Sequence, residues 1–172
     1  HEDKKQMQVV VNNKPGKPYT HIAKGYPIIS RQNHQVGYIA DENGKPYVVV
    51  NEKAYPGYEG ACGLTFSPDG RHTAYISAQG GKQFVVKDGQ KQQTYDAVDR
   101  KIGVRFSANS AHWAYVARQE DGSVVRVLDG KESRAYDAIS RPVFSPDGNH
   151  LACLVTRQKK YYTLRDNEEI GP

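Results

Sequence analysis

The five residues Phe-Ser-Pro-Asp-Gly occur at Phe66–Gly70 and again at Phe144–Gly148. A repeat of fixed period constrains a fold more than any local propensity does, because each copy must build the same supersecondary unit. Four blocks align on it: "YPIISRQNHQVGYIA", "GLTFSPDGRHTAYIS", "GVRFSANSAHWAYVA" and "RPVFSPDGNHLACLV". Ser30, Ser67, Ser107 and Ser145 fall in register at spacings of 37, 40 and 38 residues, as do Tyr38, Tyr75, Tyr115 and Cys153. A Val-rich block follows each copy ("PYVVVNEK", "QFVVKDGQ", "VVRVLDGK", "YYTLRDNE"), and a further one, "MQVVVNNK", precedes them. Asn12, Asn51, Asp88 and Asp129 each stand seven residues before a tyrosine: Tyr19, Tyr58, Tyr95 and Tyr136.

Each unit parses as four short strands. The first, such as 64–67, leads into the Ser-Pro-Asp-Gly turn, where Pro presets φ and Asp and Gly tolerate the reversal. The second, such as 72–77, alternates polar and apolar residues, and a Gly-bearing loop follows it. The third is Val-rich and ends in Asp-Gly or Asn, and the fourth carries the tyrosine. Nine prolines and sixteen glycines suit this turn-rich reading and oppose a helical one. Four antiparallel strands per roughly 40 residues is the period of a β-propeller blade. We therefore expect an all-β fold, a propeller-type array of about four four-stranded antiparallel blades. It forms one domain, 1–172, with units at about 26–62, 63–102 and 103–140 and partial units at 1–25 and 141–172. Stacked blades would bury Phe66, Ala74, Tyr75, Phe106, Ala114, Tyr115, Phe144 and Ala152. Trp113, beside Ala114 on a second strand, is expected to face away from Tyr115, near a blade edge.

The strands number four first, four second, five third and four fourth. A closed four-bladed ring leaves one third strand over. The count thus favours a segment of a longer propeller, or an assembly completed by another copy through open blade edges.

Residues that repeat with the blade serve the blade first. His72, His112 and His150 hold one position; three histidines suit a metal, but successive blades hold them apart, so half-exposed strand residues are expected. Asp69, Asp147, Asp88 and Asp129 are expected to bond turn N–H groups, and Ser67, Ser107 and Ser145 to belong to the same turns. There is no Gly-x-Ser-x-Gly elbow, phosphate-cradling loop or HExxH, and no catalytic residue, cofactor or metal site is assigned. His1, Glu2 and Asp3 form at most a weak terminal metal-binding set. Cys62 and Cys153 read as two separate, half-buried thiols. The binding candidates are aromatic. Tyr19, Tyr58, Tyr95 and Tyr136 either present a rim that stacks sugars or engages a peptide, or pack between blades. Trp113, and Tyr161 and Tyr162 within "KKYYTLRD", complete the set. The net charge of +5 is spread along the chain, so nucleic acid is not the expected partner. No apolar run approaches the roughly 20 residues of a membrane-spanning helix.

The pattern "FSPDGxxxAYxS…VVxDG" resembles the WD-like propeller repeat of the bacterial TolB family, also found in propellers of prolyl-oligopeptidase-like peptidases. The resemblance runs from about Val9 to Asn167 and is most specific at "FSPDGRHTAY" and "FSPDGNHLAC". Ala108-Asn109-Ser110 departs from it in the third unit, and "ISRQNHQVGY" departs further in the first. It implies a rigid, non-catalytic scaffold for protein recognition, in the periplasm or secreted. A lectin-like sugar binder and the gating propeller of a larger hydrolase are the rival functions.

Overall fold

The structure, a computed structural model, describes residues 6–172; the terminal His1, Glu2 and Asp3 lie outside them. The described residues form strands and turns, with no helix among them; none is therefore long and apolar enough to cross a membrane. Four sheets follow the repeat, each with its strands antiparallel and in chain order. Blade 1 comprises His21–Ile22 with Ile28–Ile29, then Val36–Glu42, Lys45–Val50 and Lys53–Pro56. Blade 2 comprises Ala61–Phe66, Thr73–Gln79, Lys82–Lys87 and Gln90–Tyr95. Blade 3 comprises Ala97–Val98 with Arg105–Phe106, then Trp113–Arg118, Val124–Leu128 and Lys131–Glu132. Blade 4 comprises Ala138–Ile139 with Val143–Phe144, then Leu151–Arg157, Lys160–Arg165 and Glu168–Ile170. Before them, Val10–Val11 and Lys14–Pro15 pair as a hairpin corresponding to the third and fourth strands of a blade.

The sheets start earlier than the repeat units drawn from the sequence. The first strand pairs in two pieces around an irregular segment, or through a register shift between Cys62 and Thr65 in blade 2. "YDAV" is thus a crossover: Tyr95 closes blade 2, while Ala97–Val98 opens blade 3.

The Ser-Pro-Asp-Gly turn is a closed hydrogen-bond unit. Ser67 Oγ donates to Asp69 Oδ1 at 2.5 Å and accepts the His72 N–H at 3.0 Å; Asp69 Oδ1 accepts the Arg71 N–H at 3.0 Å. Blade 3 rebuilds it with Asn109, which accepts from Ser107 at 2.7 Å, and blade 1 pairs Ser30 with Asn33. Adjacent turns also touch. Asn33 Nδ2 donates to Gly70 O at 2.8 Å, the Asp69 N–H to Ser110 Oγ at 3.0 Å, and Asn109 Nδ2 to Asn149 Oδ1 at 3.0 Å. Gly70 has φ +71°, and a Cβ there would lie 2.1 Å from Asn33 Oδ1, so both conformation and contact demand glycine.

Blades stack face to face, giving four cores in series. The hairpin's Val9 meets Tyr38, Ala40 and Val49 of blade 1. Ile39 and Val48 of blade 1 meet Tyr75, Phe84 and Val86 of blade 2. Ala74, Ile76 and Val85 of blade 2 meet Trp113, Tyr115 and Val125 of blade 3. Blade 4 turns Cys153, Val155 and Leu164 toward Tyr136. Ala74, Tyr75, Ala114 and Tyr115 are fully buried as expected, whereas Phe66, Phe106, Phe144 and Ala152 are only half-buried.

Trp113 corrects the sequence reading. Side chains two apart on a strand share a face, so Trp113 lies on the Tyr115 side. Their rings stack at 5.6 Å with 25° between planes, and Trp113 is only 8% exposed, inside the blade 2–blade 3 core. Trp113→Ala should therefore cost about 3–5 kcal/mol, lowering the urea midpoint followed by far-UV circular dichroism; a shift under about 1 kcal/mol would place the ring outside the core.

Candidate functional site

The repeated tyrosines are core residues. Tyr19, Tyr95 and Tyr136 are 2%, 4% and 2% exposed, and each belongs to a different inter-blade core. Tyr58 is half-buried, its ring edge-on to Phe84 at 4.9 Å. Tyr136 donates to Glu169 Oε2 at 3.1 Å. Burial pushes the Tyr95 hydroxyl well up from its usual range. These four thus present little surface. Tyr162 faces the blade 3 side, with the Arg157 guanidinium 5.2 Å from its ring. Of the aromatic candidates, Tyr161 alone is open, at 73%.

The histidines and acids work in pairs. His72 Nδ1 meets Asp88 Oδ2 at 2.8 Å, His112 meets Asp129 at 2.6 Å and His150 meets Asp166 at 2.9 Å. The other oxygen of each aspartate accepts the N–H of Thr73, Trp113 or Leu151, clamping the third-to-fourth turn onto the second strand. The structure keeps the three histidines on their own blades. No group of three or more His, Cys, Asp or Glu among the described residues is placed to hold a metal ion. Burial would push the Asp88 carboxyl up, but hydrogen bonds from Lys87, Thr73 and His72 outweigh it and hold the pKa down. Hydrogen bonds from Ser145 and Asn149 hold Asp147 at about 2. Cys62 is half-buried and Cys153 buried, both as free thiols; burial pushes Cys153 to about 11.

The sequence reading missed Arg126, which is 0% exposed where blades 1 and 2 have Val48 and Val85. Its Nη2 donates to Asn167 Oδ1 at 2.8 Å across the blade 3–blade 4 interface. Its Nε and Nη1 have no hydrogen-bond partner among the described residues.

Most of the exposed large apolar side chains among the described residues gather on the rear face of blade 4. Val143 (63%), Leu154 (59%), Tyr161 (73%) and Ile170 (47%) are exposed. Cross-strand register puts all four on one side: Val143 opposite Ala152, Leu154 opposite Thr163, Thr156 opposite Tyr161, and Thr163 opposite Ile170. Leu154 aligns with Ile76 and Val116, which the next blade buries to 1% and 3% exposure. The Gly37 position shows the same contrast. Phe66 of blade 2 packs on Gly37, 3.0 Å from where its Cβ would be, while the equivalent Ala152 is half-exposed. Arg165 and Glu168, 3.9 Å apart, charge one edge of the face. Nothing local in "LACLVTR" marks this surface, since the same pattern is buried in the other blades.

This geometry defines a propeller-type repeat array. No protein-family profile and no curated protein matches the chain. Solved structures do resemble it. The β-propeller domain of the Trilobed protease from Pyrococcus furiosus, described as having an open velcro topology, aligns at TM-score 0.54 and 12% identity, over 84% of this chain and 56% of that one. TolB from Acinetobacter baumannii aligns at TM-score 0.49 and 12% identity, over 94% of this chain and 46% of its own. A prolyl endopeptidase aligns at TM-score 0.47 and 15% identity, over 84% and 28%. At 12% identity the likeness to the Trilobed protease domain is one of fold, and the chain spans 56%, 46% and 28% of these three proteins.

Acid stability follows from the turn carboxylates. Asp69, Asp88, Asp147 and Asp166 are all held below the ordinary carboxyl value. Groups depressed in the folded state contribute stability above their unfolded pKa of about 3.9 and lose it as pH falls through the folded value. The urea midpoint should be level above about pH 5 and fall toward pH 2. Asp147→Asn, which copies Asn109 of blade 3, should shrink the fall near pH 2 and keep the fold; an unchanged profile would refute the assignment.

Proposed function

We propose that this chain is a non-catalytic scaffold for protein–protein recognition, built from TolB-like propeller repeats, with the rear face of blade 4 as its contact surface. The carrying observation is that Val143, Leu154, Tyr161 and Ile170 share that one face, while the corresponding faces of blades 1–3 are buried. Soluble domains seldom leave such a sheet face bare, and one rimmed by charge marks an interaction site. The occupant we assign is the same face of a second copy. Two sheets packed face to face bury both apolar surfaces. A two-fold pair is self-complementary, so the same apolar side chains line both halves of the contact. The extracytoplasmic setting of this reading rests on the resemblance of the repeat alone.

Sedimentation velocity over a range of concentrations tests it. The 172-residue chain should shift from 19.2 kDa toward twice that mass. Leu154→Asp should weaken association at least about tenfold and leave the melting temperature nearly unchanged, since Leu154 is exposed. A wild-type monomer at every concentration would overturn the assignment.

A further inference from the structure

The first inter-blade interface, to which the hairpin brings only a third and a fourth strand, also departs from the next two at one pair of positions. Strand pairing aligns Gly16 of the hairpin with Tyr55, Gln92 and Ser133 on the fourth strands of blades 1, 2 and 3. The Gly16 N–H donates to Val9 O at 2.9 Å, as Ser133 does to Arg126 O at 2.8 Å, so the register is the same. In the second interface the Tyr55 ring lies over Gly89, where a Cβ would be 2.9 Å from Tyr55 Cε1. In the first interface glycine stands in place of the tyrosine, and Glu52 in place of Gly89. The position after the turn Asn or Asp is Asn13, Glu52, Gly89 and Gly130 along the first four turns, each at positive φ, where all but Gly or Asn are disfavoured. Glu52 takes φ +66° nonetheless.

An open-sided cavity of about 230 Å³ lies between hairpin and blade 1 at this exchange. Val9, Val11 and Val36 make its apolar wall; Tyr38, Glu52 and His34 are its titratable lining. Asn51 is already engaged, its Oδ1 accepting the Val36 N–H at 3.0 Å. Tyr38 is only 3% exposed. The equivalent Tyr75 donates to Pro56 O at 3.0 Å. Tyr38 OH and Glu52 Oε1 converge, each 3.7 Å from the point where a Gly16 Cβ would sit. Burial, then Tyr19 and Glu52, push the Tyr38 hydroxyl pKa up, so it stays protonated and able to donate or accept.

We propose that this cavity binds the arylalkylamine group, an aromatic ring one short linker from an ammonium. The ring occupies the space that Tyr55 fills one blade on, against the three valines. The ammonium meets the Glu52 carboxylate, and the Tyr38 hydroxyl supplies a further hydrogen bond. The size fits, because about 150 Å³ of apolar cavity accommodates benzene. A carboxylate beside an apolar wall selects a cation with a hydrophobic body over a neutral aromatic or a bare amine. The group occurs in free amines and in a peptide that begins with phenylalanine.

Phenethylamine titrated into the 172-residue chain, followed by chemical shifts in ¹H–¹⁵N spectra, should saturate with Kd on the order of 1 mM, as suits so few atoms. Shifts should map to Gly16, Val36, Tyr38 and Glu52. Phenethyl alcohol and butylamine should each bind at least about tenfold more weakly. Glu52→Gln should weaken phenethylamine by a similar factor. Gly16→Tyr, which restores the ring of the second interface, should abolish binding; its spectrum reports whether it folds, and Glu52→Gln carries the test if it does not. Phe-Gly-Gly amide binding more tightly than phenethylamine identifies a peptide N-terminus as the source, and the reverse order a free amine. Absence of saturable binding, or equal affinity in Glu52→Gln, would overturn the proposal.

Discussion

Everything in this chain depends on covering both faces of a four-stranded sheet. The Val-rich third strands and the Ala-Tyr second strands put apolar side chains on both sides of every blade, and a lone sheet of this kind cannot keep water from both. Stacking solves the problem in series. Each blade buries its front on the blade before it and its rear on the blade after it, giving four separate cores rather than one. The repeated tyrosines follow from that constraint. Each stands where the chain crosses from one blade to the next, and its ring fills the junction. Blade 4 shows the same constraint from the other side: with almost the same sequence as its neighbours, it has Val143, Leu154, Tyr161 and Ile170 exposed on its rear face.

The polar repeat does a second job, holding the turns in line. Ser-Pro-Asp-Gly closes on itself through the serine hydroxyl and the aspartate, and the side chains of Asn33, Ser110 and Asn109 link each turn to the next. The His–Asp pairs likewise secure one turn to one strand in blades 2, 3 and 4. Groups that recur once per blade therefore answer to the repeat. Departures from it carry the individual chemistry. Gly16 and Glu52 exchange a tyrosine-over-glycine contact for a lined cavity. Arg126 places a buried guanidinium where valine stands elsewhere, bridging to Asn167.

Much of this was legible in the residues. The spacing of Ser30, Ser67, Ser107 and Ser145 set the number of blades, because a turn of fixed chemistry must join the same two strands each time. The alternation along the second strands located Ala74, Tyr75, Ala114 and Tyr115 in the cores, and the same two-residue period puts Trp113 beside Tyr115, where the sequence reading had it facing away. The constant offset from Asn12, Asn51, Asp88 and Asp129 to a tyrosine marked a structural element, though not where it falls. Those tyrosines end one sheet and precede the next, which strand propensity does not distinguish, so the units appeared several residues later than the sheets begin.

The sequence by itself determined the all-β class, the four-strand unit and the turn chemistry, since all of these are set by residues near one another in the chain. Only the tertiary structure decided which apolar faces are covered. Leu154, Ile76 and Val116 occupy one repeat position with similar side chains, and their different exposure depends on whether another sheet packs against that face. The cavity is equally non-local: Gly16 and Glu52 lie far apart in sequence, and the space between them exists only because two neighbouring sheets meet there. Burial and vacancy are properties of pairs of surfaces, and a linear pattern records one surface at a time.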